Sequence, residues 1–140
     1  MPVIGCTIKS IMAERKKPIV NRVDVSSIPK ITSVQEKEIE VLGKQPSLLI
    51  GFEFESNYKP DIGLIKTIGE LVYTIKSTKE AMKTWKKDGK LLDEVEMEVK
   101  NFLFKKCLTL GINLADELQL PPPMGFPTVV PKDEQTKYIG

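Results

Sequence analysis

The sequence predicts an α+β fold: a four-stranded antiparallel, Greek-key-like sheet packed by a short helix and a long C-terminal helix, then a proline-rich tail. Three observations predict it. Apolar and polar residues alternate along four stretches before Lys76, the period of strands with one buried face. From Thr78 onward the apolar spacing lengthens to three and four residues, the period of a helix. Five prolines between 121 and 131 then end the helical part, because proline cannot donate within a helix and disfavours helix before it.

The first strand places Ile4, Cys6 and Ile8 against Gly5, Thr7 and Lys9, and the run Glu14-Arg15-Lys16-Lys17 with Pro18 interrupts it. Residues 19–29 are mixed, with Val23 and Val25 alternating briefly before Ser26 and Ser27, and read as an excursion across or around the sheet. The second strand, 31–42, sets Val34, Ile39 and Val41 among Glu36, Lys37, Glu38 and Glu40, with an irregularity near Gln35. Gly43-Lys44-Gln45-Pro46 has turn composition. The third strand, 47–58, points Leu48, Ile50, Phe52 and Phe54 one way and Glu53 and Glu55 the other. After a second turn at 57–61, the fourth strand, 62–75, carries Ile62, Leu64, Ile68, Val72 and Tyr73 with Gly63 and Gly69 inside it. A glycine within a strand marks a bulge or a close approach by another backbone. Short turns pair the last three strands as a meander, so the first must join at an edge.

Thr78 caps a helix through Lys87 with Ala81, Met82 and Trp85 on its apolar side, and Asp88-Gly89 closes it. The long helix, within 91–120, carries a stripe of Leu92, Val95, Val99, Phe102, Leu103, Cys107, Leu110, Leu114 and Leu118. Asp93, Glu94 and Glu96 sit at its positive end. All of the stripe is expected in the core, so Phe102→Ala should cost about 3–5 kcal/mol. Residues 1–131 read as one domain and 132–140 as a frayed tail.

Composition narrows the function. At 41% hydrophobic and 29% charged the chain is globular, and 21 basic against 19 acidic side chains leave a net charge of only +2. A nucleic-acid role would need a local patch. No run approaches the ~18 apolar residues of a membrane span, and the basic cluster follows the apolar start, the reverse of a secretory signal. With Cys6 and Cys107 too far apart in sequence for a disulfide framework, the expectation is a cytoplasmic protein without membrane insertion. The chain has no histidine, which removes the commonest general base and most zinc sites. No phosphate loop or dinucleotide fingerprint appears. The expectation is therefore a protein that is not an enzyme and has no catalytic residues, cofactor or metal. Glu53, Glu55 and Glu70 could approach one another, but they suit a solvated sheet face laced with Lys66 and Lys76.

Two binding surfaces suggest themselves. Arg15, Lys16 and Lys17, with Lys83, Lys86, Lys87 and Lys90 around Trp85, could contact phosphates and stack a base. That would make a basic accessory subunit of a ribonucleoprotein or other nucleic-acid assembly. The position of Trp85 on the face of Ala81 and Met82 favours packing instead. The second is the tail, whose Met124, Phe126, Val129 and Val130 must fold back or stay exposed as a binding segment.

The order of elements resembles the SecB-like export chaperones: a four-stranded antiparallel sheet, a long crossover after the first strand, then a helical region. On that resemblance the crossover is 17–30, the long helix 92–118, and the leucine and proline motif Leu118-Gln119-Leu120-Pro121-Pro122-Pro123. The fragments PDIG at 60–63 and LPPPMGFP at 120–127 are also similar to those of small archaeal proteins. The resemblance implies a non-catalytic homo-oligomer that holds extended polypeptide, a client or a partner protein, in apolar grooves. The peptide-binding residues expected on it are Leu49, Leu71 and Tyr73, with Met124 and Phe126.

Overall fold

A computed structural model describes residues 3–19, 21–39 and 45–124, without the Ile39 side chain. Of the expected Gly43-to-Pro46 turn, Gly43 and Lys44 lie outside the described residues, as do Val41, Phe126, Val129, Val130 and residues 132–140, while Gln45 and Pro46 begin a strand. Strands β1 (Val3–Arg15), β2 (Asp24–Ile39), β3 (Gln45–Lys59) and β4 (Gly63–Thr74) precede helices α1 (Lys79–Asp88) and α2 (Asp93–Glu117). The sheet order is β1-β4-β3-β2 with every pair antiparallel. This is the expected α+β arrangement, a meander of β2 to β4 with β1 at the edge beside β4.

The crossover is shorter than the expected 17–30, because β2 already begins at Asp24. Val25, Ser27, Pro29 and Ile31 stand opposite Tyr58, Ser56, Phe54 and Phe52 and so share their face of the sheet. The alternation is hard to see in sequence because serine and proline fill two of these inward positions. Pro29 is tolerated because β2 is an edge strand.

One face of the sheet is closed by the helices. From β3, Leu48, Ile50, Phe52, Phe54 and Tyr58 are buried there, with Ile65, Leu71 and Tyr73 from β4. Phe104 of α2 meets Phe54 edge-on with ring centroids 5.5 Å apart. Where β1 passes over β4, a Cβ on Gly69 would run into the Thr7 carbonyl oxygen, with Ile8 Cα 3.1 Å away. The register shift between Ile8 and Ser10 lies at the same place, so the glycine marks both a bulge and a close approach.

Local signals set the helices. Thr78 stands at the N-cap of α1 but makes no side-chain cap bond, since its hydroxyl donates to Glu36 Oε1 at 2.9 Å. Gly89 ends α1 with φ +66°, a conformation glycine adopts without strain, and its N–H donates to the Trp85 carbonyl at 2.8 Å. Beyond α2, Leu120 is buried with Tyr58, Ile62, Ile65 and Ala115, and the Tyr58 hydroxyl donates to the Pro121 carbonyl at 2.7 Å. The described start of the tail therefore folds back. Among the described residues no helix is long and apolar enough to cross a membrane.

Burial also sets a pH dependence. It pushes the Tyr58 hydroxyl up to about 12, and Tyr73 likewise, with the hydrogen bond to Glu98 adding to the latter. Burial pushes the Cys107 thiol up to about 12 as well. Each of these acids holds its proton more tightly folded than unfolded, where ionisation begins near pH 8.5 for cysteine and ~10 for tyrosine. Their contribution is complete at neutral pH and is lost as pH rises through ~9 to ~12. Urea midpoints are expected to fall steadily from pH 9 to pH 11; a flat or rising profile would contradict this.

Candidate functional site

The apolar stripe of α2 serves two surfaces rather than one. The residues it buries are Val95, Val99, Leu103, Cys107, Gly111 and Ala115, each four after the last. At 3.6 residues per turn this line winds slowly round the helix, following the twisted sheet beneath. Phe102 and Leu110 fall to one side of it and are only half-buried. Phe102 is thus not the fully buried core residue that its place in the stripe suggests, and the cost expected of Phe102→Ala falls accordingly.

These two side chains form, with Ile8 and Ile11 of β1, the floor of a groove of about 530 Å³ between the edge strand and α2. Lys105, Lys106, Thr109 and Asn113 complete the lining, which contains no carboxylate among the described residues. Burial raises the Cys6 thiol beside this groove, and the nearby Lys106 ammonium acts in the opposite sense. Lys106 likewise opposes the burial that raises Cys107, so its charge reaches both thiols. Among the described residues nothing pairs with the neighbouring strand edge. β1 pairs only with β4, and Ile4, Ile11 and Met12 on it are 50%, 47% and 46% exposed. The other edge is β2, which carries Pro29, Lys30, Glu36, Lys37 and Glu38, the residues that blunt an edge against pairing; β1 lacks proline and any run of charge before Glu14.

The expected peptide-binding residues do not form one surface. Leu71 and Tyr73 are buried beneath the helices at 0% and 5% exposure, and the Tyr73 hydroxyl donates to Glu98 Oε2 at 2.8 Å. Leu49, opposite Val72 in the ladder, lies on the other face of the sheet. Met124 is exposed, and Phe126 is outside the described residues. Alternation alone leaves open which set of β4 side chains faces inward when Val72 and Tyr73 are adjacent. Pairing with Leu48 and Ile50 places Tyr73 and Leu71 inside.

The basic residues divide. Arg15 Nη1 donates to the Leu118 and Gln119 carbonyls, both at 3.2 Å, where the end of α2 favours a cation. Lys16 and Lys17 bridge to Asp61 at 3.2 and 3.7 Å, and their contacts hold its carboxyl below its usual range. Lys83, Lys86 and Lys87 join Lys79, Met82 and Glu36 around a shallow surface of α1, with Lys90 exposed beyond it. Trp85 is half-buried and packs against the core. On the open face of the sheet, Glu53 bridges to Lys66 and Glu70 to Lys9, each at 2.9 Å.

No protein-family model matches the chain. No curated protein matches it either. The functional reading therefore stands on the groove itself. Sequence reasoning missed Ile11, Leu110, Thr109 and Asn113 as a group. The available signals were the width of the α2 stripe and the adjacent apolar pair Ile11-Met12, which breaks strict alternation beyond the bulge.

Proposed function

We propose that this protein is a non-catalytic, SecB-like binding module that holds apolar segments of non-native or partner polypeptides in the groove between β1 and α2. The observation that carries the reading is an apolar floor lying directly beside a strand edge that is unpaired among the described residues. An extended chain can satisfy its backbone on such an edge while its side chains leave water, with no reading of sequence required. A four-stranded antiparallel sheet followed by helices supports the reading, while the crossover after β1 is shorter than the resemblance implies. Assembly into a cytoplasmic homo-oligomer through sheet and helices belongs to the same proposal.

The test is light scattering of a denatured client diluted into this protein at moderate salt. Near-stoichiometric amounts should suppress aggregation with little loss on raising salt, because apolar burial is not screened. Absence of suppression would contradict the reading. Ile11→Asp should abolish most of the suppression while changing stability by less than about 1 kcal/mol, since Ile11 is half exposed. Unchanged suppression by this variant would move the site elsewhere. The nucleic-acid reading has less support, since Trp85 is packed and Arg15 to Lys17 are engaged within the chain.

A further inference from the structure

We infer that the groove selects extended segments in which apolar side chains are combined with carboxylates, and takes them up as a fifth strand on β1. The inference rests on the binding function proposed above and specifies the class of segment.

The register of β1 fixes what such a strand would meet. Cys6, Ile8, Ile11 and Ala13 stand opposite Leu71, Gly69, Thr67 and Ile65 and share their helix-covered face. A strand added to the outer edge of β1 would send every second side chain to that face, over Ile8 and Ile11 and against Phe102 and Leu110. From Phe102 to Asn113 the helix advances about 16 Å, the length of roughly five extended residues. Such a segment places two or three side chains in the groove.

Charge then decides which segments fit. Among the described residues the lining has two cations, Lys105 and Lys106, with neutral Thr109 and Asn113 and no acid. Neither lysine has an ion-pair partner among the described residues. A carboxylate on the incoming segment gains two unengaged ammonium groups at the edge of an apolar floor, whereas a basic segment meets repulsion. The same charge disfavours a second copy of this chain as the occupant. An isologous pairing about β1 presents the same face from both sides, and a face whose only charges are cationic is not self-complementary.

The test uses the full chain and fluorescein-labelled peptides of about nine residues, followed by anisotropy at ~0.1 M salt. One alternates valine with serine and carries two glutamates; its twin carries lysines instead; a third has the acidic sequence with alternate amides N-methylated. The acidic peptide should bind about tenfold or more tightly than the lysine twin. N-methylation on the pairing side should weaken it by a similar factor. Lys105→Glu with Lys106→Glu, both exposed, should reverse the preference. Equal binding of both peptides, abolished by Leu110→Asp, would overturn the carboxylate preference while leaving the proposed function standing. Binding that survives Leu110→Asp, or displacement by oligouridylate but not by unlabelled acidic peptide, would overturn the site. A dimer stable on dilution that excludes the peptides would assign the groove to a second copy and overturn the inference. Failure of every peptide together with failure to suppress client scattering would remove the proposed function as well.

Discussion

Leu103→Ala is expected to lower the unfolding free energy by about 3–4 kcal/mol, whereas Phe102→Ala, one position away, should cost only about 1 kcal/mol. Leu103 is fully buried in the cluster formed by Phe52, Phe54, Leu71 and Val99. Its truncation leaves a cavity beneath α2 that close-packed neighbours cannot fill, so the loss combines transfer and cavity contributions. Phe102 is half-buried and borders the open groove, where water can enter the vacated space. Its loss should be felt in binding, as reduced suppression of client aggregation. Urea unfolding of both variants and the scattering assay of Phe102→Ala check the pair. Equal destabilisation by the two would mean that the helix buries its stripe as one surface and leaves no groove.

Gly69→Ala should destabilise the fold by about 2–3 kcal/mol although it adds a single methyl group. The added Cβ would collide with the Thr7 carbonyl oxygen and approach Phe52 Cζ within 2.9 Å and Ile8 Cα within 3.1 Å. Two of these obstacles are backbone, which cannot move aside as a flexible side chain can. Relief requires β1 to shift on β4, which breaks ladder hydrogen bonds and moves Ile8, part of the groove floor. Gly5→Ala is the control, since a Cβ there meets nothing within 4 Å. It should change stability by well under 1 kcal/mol. Similar urea midpoints for the two variants would contradict the close approach of β1 and β4.

Much of this architecture is written locally. The inward row Leu48, Ile50, Phe52 and Phe54 is a pure period-two signal, and β3 carries it without a bulge. Gly89 ends α1 as its sequence position suggests, and Gly69 marks the approach of another backbone. Longer-range features were not legible. The bulge between Ile8 and Ser10 changes which residues of β1 face the helices, bringing Ile11 inward beside Ile8. Without the partner strand that phase change cannot be read. The crossover was overestimated because Ser27 and Pro29, neither of them strongly apolar, occupy the inward positions of β2. Leu71 and Tyr73 could be assigned to a face only once β4 was paired with β3. The groove depends on Ile8 and Ile11 meeting Phe102 and Leu110, residues 91 to 102 positions apart, and no local pattern records such a juxtaposition.

Hydrogen exchange on the full chain, with and without a bound non-native client, tests the central claim most directly. Amides on the outer edge of β1 have no partner strand among the described residues and should exchange quickly in the free protein. Client binding should slow exchange there, with accompanying protection in the α2 residues from Phe102 to Asn113 that line the groove. Protection confined to the β2 edge or to the lysine-bearing surface of α1, with β1 unchanged, would contradict the assignment of the binding site.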